Sequence, residues 1–294
     1  MKKITIISGK GGTGKTTVVS NFAALAEDIV IADCDVDAPN MHLLLKPSIL
    51  EEKVFNAGKM AVKDKEKCTF CGTCYQVCRF DAITEDNYQL KPVKCDGCNV
   101  CVVMCPTGAL KLVEEETGHI YLSESEYGPM IHARLKAGGD NSGKLVSEVR
   151  EEADRAAEEN NKGLILIDGS PGIGCPVIAS LNGVDLALVV TEPTRSGLSD
   201  LKRVLGVTAH FNIETMVVVN KYDLNKNLTT EIEELCRREN IPVPGRIAFD
   251  SVVNEALRRG ELLVNYREKS KPAVQIRNIW KEIEEVLFFD RKIL

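Results

Sequence analysis

Near the amino terminus, glycine, lysine and threonine occur in an order that suits the binding of a phosphate group. The segment 9–17 reads GKGGTGKTT and fits the pattern G-x-x-x-x-G-K-[ST]. It follows a strand-like apolar run and precedes a helix-like one, which is the context that this motif requires. Backbone N–H groups at such a loop face phosphate oxygens, Lys15 reaches the β- and γ-phosphates, and the Thr16 hydroxyl binds Mg²⁺. The motif therefore predicts a nucleotide site.

A second group of residues with chemical potential is a cluster of cysteines in the first half of the chain. Eight of the eleven cysteines form two runs of four, and the second run repeats the first 27 positions later. The runs are Cys68, Cys71, Cys74 and Cys78, followed by Cys95, Cys98, Cys101 and Cys105. Glycines interrupt the first apolar run, so we expect no secretory signal peptide and favour metal binding over disulfides.

The spacing of each run, C-x₂-C-x₂-C-x₃-C, resembles that of bacterial ferredoxins with two clusters. In those proteins the fourth cysteine of each run binds the other cluster. The resemblance implies one [4Fe–4S] cluster on Cys68, Cys71, Cys74 and Cys105, and another on Cys78, Cys95, Cys98 and Cys101. Zinc is the alternative, but zinc sites pair two C-x₂-C knuckles rather than two full runs of four cysteines.

Several apolar, β-branched runs end in polar residues and alternate with helix-like segments. Asp33 ends the run IVIAD and Asp35 follows it, and Asp168 ends LILID, which resembles a Walker B strand that holds Mg²⁺ through water. This alternation predicts a mostly parallel sheet flanked by helices, with the ligand at the carboxyl ends of the strands. We therefore expect an α/β P-loop NTPase fold.

The sequence KGGTGKTT resembles the deviant Walker A motif of the ParA/MinD/Mrp family of P-loop ATPases. The resemblance implies a dimer that closes around two ATP molecules, in which Lys10 reaches the partner's nucleotide. It also implies that Asp35 positions the attacking water, that Asp168 and Gly172 belong to the second switch, and that Asn220 contacts adenine. The implied catalytic residues are Lys10, Lys15, Asp35 and Asp168, and the nucleotide-binding residues are Gly11, Gly12, Thr13, Gly14, Lys15, Thr16, Thr17 and Asn220. Thr16 and Asp168 are the implied Mg²⁺ residues.

The two motifs define the expected domain organisation. The ATPase domain is predicted to comprise residues 1–57 and 118–294, interrupted by a small α+β ferredoxin domain at 58–117. This arrangement resembles the MinD-superfamily group with an inserted ferredoxin domain and, more distantly, the nitrogenase iron protein. In the latter a cysteine at the spacing of Cys175 from Asp168 binds a cluster shared between subunits. A thiol without a ligand role is the alternative for Cys175.

Composition limits the classes of partner. The net charge of −6 argues against broad binding to nucleic acid or acidic membranes, and no apolar run is long enough to span a bilayer. We expect a cytoplasmic protein. The segment VQIRNIWKEIEEVLFF has apolar residues at helical spacing and three glutamates, so it predicts a helix of the core rather than a membrane-binding helix with a basic face.

These features predict an ATP-binding and ATP-hydrolysing iron–sulfur protein, in which a nucleotide-switched dimer is coupled to electron transfer through two [4Fe–4S] clusters. An iron–sulfur carrier or assembly ATPase of the Mrp type is the first alternative, and a positioning ATPase like MinD or ParA is the second. The segment NKYD also resembles the guanine-reading motif of GTPases, so GTP stays open as the nucleotide. The expected partners are a second copy or a related ATPase, and a redox or iron–sulfur client protein.

Overall fold

The computed structural model describes residues 1–136 and 141–288, in which the chain forms nine strands and eleven α-helices. The strands are β1 (Lys2–Ser8), β2 (Ile29–Asp33), β3 (Ser48–Lys63), β4 (Leu110–Ser125), β5 (Gly128–Leu135), β6 (Leu164–Pro171), β7 (Leu186–Thr191), β8 (Thr215–Asn220) and β9 (Gly245–Ile247). The helices are α1 (Lys15–Ala23), α2 (His42–Leu45), α3 (Thr73–Val77), α4 (Val100–Val103), α5 (Ser142–Glu159), α6 (Cys175–Leu181), α7 (Arg195–His210), α8 (Lys226–Arg238), α9 (Ser251–Arg259), α10 (Leu263–Tyr266) and α11 (Lys271–Phe288). Two 3₁₀ turns occupy Pro92–Lys94 and Tyr222–Leu224.

The strands form one sheet in the order β3-β4-β5-β2-β6-β1-β7-β8-β9. The pairs β2–β5, β2–β6, β1–β6, β1–β7, β7–β8 and β8–β9 are all parallel. Every residue of β2 and β7 is buried, as expected for parallel strands covered on both faces. The predicted α/β fold with a mostly parallel sheet is therefore confirmed.

Two hydrophobic clusters pack against opposite faces of this sheet. On β1, Ile4 and Ile6 belong to one cluster and Ile7 to the other, because successive strand residues point to opposite faces. The first cluster includes Trp280 of α11, whose ring centroid lies 5.0 Å from that of Phe22 on α1.

The carboxy-terminal helix contributes its apolar face to the core, as predicted. Its buried residues include Ile276, Ile279, Trp280, Ile283 and Leu287. The final residue of the predicted helix, Phe289, lies outside the described residues. Among the residues that are described, no helix combines the length and the apolar composition needed to cross a membrane.

The chain divides into two compact units. Unit 1 consists of Met1–Glu52, Ile120–Arg134 and the segment from Ser142 onward, whereas unit 2 consists of Lys53–His119 and Leu135–Asn141. The phosphate-binding motif lies in unit 1, and the eight clustered cysteines lie in unit 2.

Candidate functional site

The loop between β1 and α1 has the backbone conformation that its glycines predict. Gly12 and Gly14 have φ angles of +80° and +92°, which side chains strongly disfavour. A Cβ atom on Gly14 would also lie 2.3 Å from Nδ2 of Asn220. Helix α1 begins at Lys15, three residues before the helix-like apolar run that starts at Val18. The lysine is therefore the first residue of the helix. The first N–H groups of a helix have no partner within the helix, so those of this turn are available to a ligand.

A large cleft in unit 1 opens beside this loop. Its empty volume is about 1770 Å³, counting the space that is open to solvent. Among its lining residues are Gly11, Gly12, Gly14, Lys15, Thr16, Thr17, Asp35 and Asn220, all of which the sequence predicts to bind or act on a nucleotide. Thr13 and Asp168 are buried and are not among the lining residues. The structure thus brings most of the predicted nucleotide residues to one cleft.

Lys15 is buried among carboxylates at the base of this cleft. Only 5% of Lys15 is exposed; its Nζ donates a hydrogen bond to the carboxylate of Asp168 and lies 3.6 Å from Oδ2 of Asp35. Burial alone would lower the pKa of Lys15, but Asp168 and Asp35 raise it above the ordinary value. The two carboxylates therefore favour the charged form of this buried lysine.

Asp33 is the third carboxylate around Lys15. Asp33 on β2 stands opposite Asp168 on β6 in the parallel register, and both are fully buried. Burial, followed by the charge of Asp168, raises the pKa of Asp33 to about 8. Its Oδ1 accepts a hydrogen bond of 3.1 Å from the backbone N–H of Asp35, which fixes the start of the loop that carries Asp35. Burial also raises the pKa of Asp35.

Lys10 makes its contacts within its own chain. Its Nζ lies 2.8 Å from Oε1 of Glu192 and donates hydrogen bonds to Ser196 Oγ at 2.8 Å and to Thr194 Oγ1 at 3.3 Å. Lys221 donates to the other oxygen of Glu192 at 3.1 Å. Burial would raise the pKa of Glu192, but the hydrogen bonds from both lysines lower it.

Sequence reasoning missed Glu192, which lies in the segment TEPTRSG at the end of β7. Lys10 and Glu192 follow β1 and β7, which are adjacent parallel strands with Ile7 opposite Val189. The two side chains meet only because those strands pair. A strand order predicted beforehand is the one signal that would have found this contact.

The NKYD segment after β8 supports the phosphate loop rather than forming a separate site. Asn220 Nδ2 donates to the Thr13 carbonyl at 2.7 Å, and its Oδ1 accepts from the Lys221 N–H at 2.9 Å. Asp223 Oδ1 accepts a hydrogen bond of 2.8 Å from the backbone N–H of Phe249, and Asp223 is not among the residues that line the cleft. Asn220 therefore lies at the cleft, whereas Asp223 does not.

In unit 2 the eight cysteines line two separate cavities. The first cysteine cavity, of about 330 Å³, is lined by Cys68, Cys71, Cys74 and Cys105, and the second, of about 360 Å³, by Cys78, Cys95, Cys98 and Cys101. Both volumes include space open to solvent. Each cavity combines three cysteines of one run with the fourth cysteine of the other run. Cys71 and Cys98 are exposed, and the other six are half-buried.

The thiols in these cavities have polar neighbours of their own. Cys71 Sγ lies 3.4 Å from Thr73 Oγ1, and this hydrogen bond lowers the pKa of the Cys71 thiol. Burial raises the pKa of Cys101, and the nearby Cys95, Cys98 and Cys78 raise it further. Among the described residues, no three His, Cys, Asp or Glu side chains are grouped so that they could hold a single metal ion.

The remaining cysteines line neither of these cavities. Cys175 is exposed at the first position of α6 in unit 1 and lines neither cysteine cavity. Cys34 and Cys236 are fully buried, and burial raises the pKa of Cys236 to about 11. Both pack as small apolar residues.

Similar proteins were found at the level of family, sequence and fold. Residues 4–264 match the family described as the CobQ/CobB/MinD/ParA nucleotide binding domain. A Methanocaldococcus jannaschii protein, MJ0578, whose name calls it uncharacterised, is 34% identical over 97% of this chain and 97% of its own length. A Pyrococcus horikoshii protein named iron-sulfur cluster carrier protein is 23% identical over 90% of this chain and 80% of its own.

Among solved structures, the septum site-determining protein MinD of Pyrococcus horikoshii, complexed with Mg-ADP, has a similar fold. The TM-score is 0.59 at 19% identity, and the alignment covers 99% of each chain. At this identity the likeness concerns the fold alone.

Proposed function

Because the chain belongs to the CobQ/CobB/MinD/ParA nucleotide-binding family, we propose that it is an ATP-hydrolysing iron–sulfur protein that carries two [4Fe–4S] clusters. The observation that carries the iron–sulfur part is the lining of the two cysteine cavities: each quartet takes its fourth thiol from the other run. That exchange is the ligand pattern of two-cluster ferredoxins. In this proposal, unit 2 is the ferredoxin-like domain and unit 1 is the ATPase domain.

The residues of the cleft suit the polyphosphate of a nucleotide. The N–H groups of Gly11, Gly12 and Gly14 and the start of α1 would bind phosphate oxygens, and Lys15 would neutralise their charge. Thr16 and Asp168 would hold Mg²⁺, Asp168 through water. Oδ2 of Asp168 is buried and has no hydrogen-bond partner among the described residues. Bound MgATP would supply the phosphoanhydride bond that is hydrolysed, and Asp35 would orient the attacking water.

ATP suits this site better than GTP. The Asp of the N-K-x-D pattern reads guanine through its carboxylate, yet the carboxylate of Asp223 is engaged by the N–H of Phe249 and lies outside the cleft lining. Asn220, by contrast, lines the cleft and is fixed by Thr13 and Lys221. We therefore assign the base-contacting role to Asn220 and the nucleotide as ATP.

Hydrolysis in this proposal depends on a dimer, formed by two copies of the chain or with a related ATPase. Lys10 would stabilise charge on the partner's transferring phosphate, a role that in other phosphoryl-transfer enzymes accelerates the reaction about 10³–10⁵-fold. Its pairing with Glu192 describes where the side chain rests within one chain. Release from Glu192 is then one step of dimer formation.

The cysteine cavities fit clusters better than single metal ions. Zinc needs four ligands that converge on one atom, whereas each iron of a [4Fe–4S] cluster takes one thiolate, so that the thiolates surround a larger group. Four thiols line each cavity, which suits a cluster that takes one thiolate for each iron. The clusters would supply reversible transfer of one electron each. Cys175 is outside both quartets, and we assign it no cluster.

A cluster carrier, acting on an iron–sulfur client protein in the cytoplasm, is the second candidate function. Two observations favour it: Cys71 and Cys98 are exposed, one in each cavity, and the Pyrococcus horikoshii relative is named an iron-sulfur cluster carrier. A positioning ATPase that attaches to a membrane through α11 is disfavoured, because the apolar face of that helix is buried in the core.

The test is anaerobic reconstitution with iron and sulfide, followed by counting both and recording absorption. We expect about eight irons and eight sulfides per chain, typical of two such clusters. Cys105→Ala should impair the cluster that Cys68 and Cys105 both bind. Cys78→Ala should impair the cluster that Cys95 and Cys78 both bind. The matched control is Cys175→Ser, an exposed cysteine outside both cavities, which should keep all the iron. Stoichiometric zinc without sulfide would refute the iron–sulfur assignment.

Electron transfer and cluster delivery differ in what remains bound. An electron carrier keeps its iron while apo-ferredoxin is present, whereas a carrier protein loses iron to that acceptor. Iron retained by the chain after incubation, with reversible reduction by dithionite, supports electron transfer. MgATP hydrolysis is measured in the same samples.

A further inference from the structure

The 27-residue repeat relates the two cysteine cavities position by position. Ala109 and Leu110 of the first cavity correspond to Ala82 and Ile83 of the second, and all four are buried. At three further lining positions, besides Tyr88, which corresponds to Ala61, the first cavity has a polar residue where the second has an apolar one. These pairs are Lys63 with Leu90, Thr73 with Val100, and Thr107 with Phe80. The repeat thus provides an internal comparison between two otherwise similar sites.

Two of the polar residues lie beside cysteine sulfurs. Thr73 Oγ1 is 3.4 Å from Cys71 Sγ, and Thr107 Oγ1 is 3.6 Å from Cys105 Sγ. Both cysteines belong to the first quartet, and each threonine stands two residues after its cysteine. A hydroxyl donates a hydrogen bond to a thiolate, which the side chains of valine and phenylalanine cannot do.

The third polar residue is a cation held in place at the wall of the first cavity. Lys63 Nζ donates to the carbonyl oxygens of Tyr88 at 2.7 Å and Asn87 at 3.3 Å, and lies 5.4 Å from the centroid of the Phe70 ring. These contacts fix the ammonium group there. The corresponding residue of the second cavity, Leu90, carries no charge.

The second cavity has a different electrostatic character. Asp96 contributes a carboxylate to its lining, where the first cavity has Thr69 at the repeated position. One backbone hydrogen bond instead stabilises negative charge at the second cavity, because the N–H of Ala61 donates to Cys95 Sγ at 3.4 Å. The charged side chains therefore favour added negative charge at the first cavity and oppose it at the second.

We propose that Lys63, Thr73 and Thr107 give the site of the first quartet a higher reduction potential than the site of the second quartet. The inference rests on the proposed function, since it requires clusters in both cavities. Reduction adds one negative charge to a site, and nearby cations and hydrogen bonds to sulfur stabilise that charge. In each reduction one electron is taken from a one-electron reductant, no covalent bond forms or breaks, and no proton is needed. At equilibrium, an electron that enters unit 2 is accordingly held mainly at the site of the first quartet.

The experiment is a redox titration with dithionite in the full-length, reconstituted protein, followed by electron paramagnetic resonance. Cys78→Ala and Cys105→Ala each leave one intact quartet, so the two midpoints are assigned separately. We expect the higher midpoint for the first quartet. Lys63→Leu should reduce the reduction equilibrium constant of that site by about tenfold, equivalent to about 59 mV, and should leave the other midpoint unchanged.

Isosteric variants separate the hydroxyl groups from packing. The double variant Thr73→Val and Thr107→Val should lower the first midpoint, because two sulfur hydrogen bonds are lost, and Thr73→Ser should preserve it. The reciprocal change, Val100→Thr, should raise the second midpoint.

Three outcomes would overturn the proposal: equal midpoints, a higher midpoint at the second quartet, or a Lys63→Leu effect of equal size at both sites. A chain that binds no iron would refute the proposed function, and this inference with it. Eight irons with equal midpoints would refute the inference alone.

Discussion

Replacement of Glu192 by glutamine tests how Lys10 becomes available to a partner. The carboxylate of Glu192 lies 2.8 Å from Lys10 Nζ and 3.1 Å from Lys221 Nζ, and 15% of its side chain is exposed. If Lys10 acts on the partner's nucleotide, it must leave this carboxylate when the dimer forms. Glu192→Gln removes the charge that retains Lys10 and keeps a side chain of the same size. We therefore expect the variant to dimerise more readily with ATP.

The expected magnitude follows from the exposure of the pair. Exposed ion pairs contribute about 0.2–1 kcal/mol. The side chain of Lys10 is 30% exposed and that of Glu192 is mostly buried, so we take the upper end, about 1 kcal/mol for each chain. A symmetric dimer releases two lysines, which amounts to about 2 kcal/mol, or about 30-fold in the dimerisation constant.

Sedimentation velocity with a non-hydrolysable ATP analogue measures the dimerisation constant, after nucleotide affinity has been shown to be unchanged. Glu231→Gln is the matched control, because Glu231 pairs with Arg195 at 3.3 Å and both side chains are exposed. The control should dimerise like the wild type. Dimerisation of Glu192→Gln that equals or falls below that of the wild type would refute the reasoning.

Two further predictions concern the nucleotide site and the stability of unit 1. Lys15→Ala should abolish MgATP binding, whereas Lys10→Ala should keep binding and lose hydrolysis. Calorimetric titration measures the binding, and phosphate release measures the hydrolysis. Normal turnover by a monomeric Lys10→Ala protein would contradict the action of Lys10 on the partner's nucleotide. His132 is 7% exposed, stacks on Tyr121 and His42, and contacts Ser123 Oγ at 3.1 Å. Burial, followed by the charge of His42, lowers the pKa of His132 to about 4. The unfolded state takes up this proton near pH 6.5 and the folded state only near pH 4, so stability should fall by up to about 3 kcal/mol as the pH drops through this interval. Urea unfolding at several pH values should show a weaker dependence for His132→Gln, and an unchanged dependence would contradict the assignment.

Local motifs allowed the sequence to predict the phosphate loop and the composition of the sheet. The loop needs glycine at Gly12 and Gly14, where φ is positive, and a lysine at the start of α1. Because these residues are close together in the sequence, a local motif is enough to predict the loop. The strands were recognisable because buried parallel strands are continuously apolar. Their ends were less predictable: β6 continues through Pro171, beyond the run that ends at Asp168, because its pairing with β1 resumes after a register shift and places Pro171 opposite Ser8.

Contacts between distant segments could not be predicted from pattern alone. Glu192 meets Lys10 only through the pairing of β1 with β7. Similarly, the 27-residue repeat identifies which residues correspond, but it does not say which side chains face a cysteine cavity. The long strand β3 brings Lys63 to the cavity lined by Cys68 and Cys74, and no local period indicates that placement. Tertiary geometry therefore supplies what surrounds each reactive group.

The order of the chain suggests that nucleotide and redox state influence each other. The chain leaves unit 1 after Glu52 and returns at Ile120, so most of unit 2 is inserted between the segments that carry Asp35 and Asp168. Loops that respond to a γ-phosphate can bias a segment attached to them. We expect reduction of the proposed clusters to change ATP affinity, and by linkage ATP must shift their potential by the same free energy, typically about 1–3 kcal/mol.

Calorimetric titration of ATP into oxidised and dithionite-reduced protein measures this coupling directly. A coupling of that size corresponds to a change of about 5–150-fold in affinity. The double variant Cys78→Ala and Cys105→Ala, which breaks both quartets, is the control, since its ATP affinity should not respond to dithionite. Equal affinities in the two redox states of the wild type, together with a cluster potential that MgATP leaves unchanged, would show that the two units act independently. The insertion of unit 2 between the segments of Asp35 and Asp168 would then be a feature of the chain's order, without energetic consequence for ATP binding.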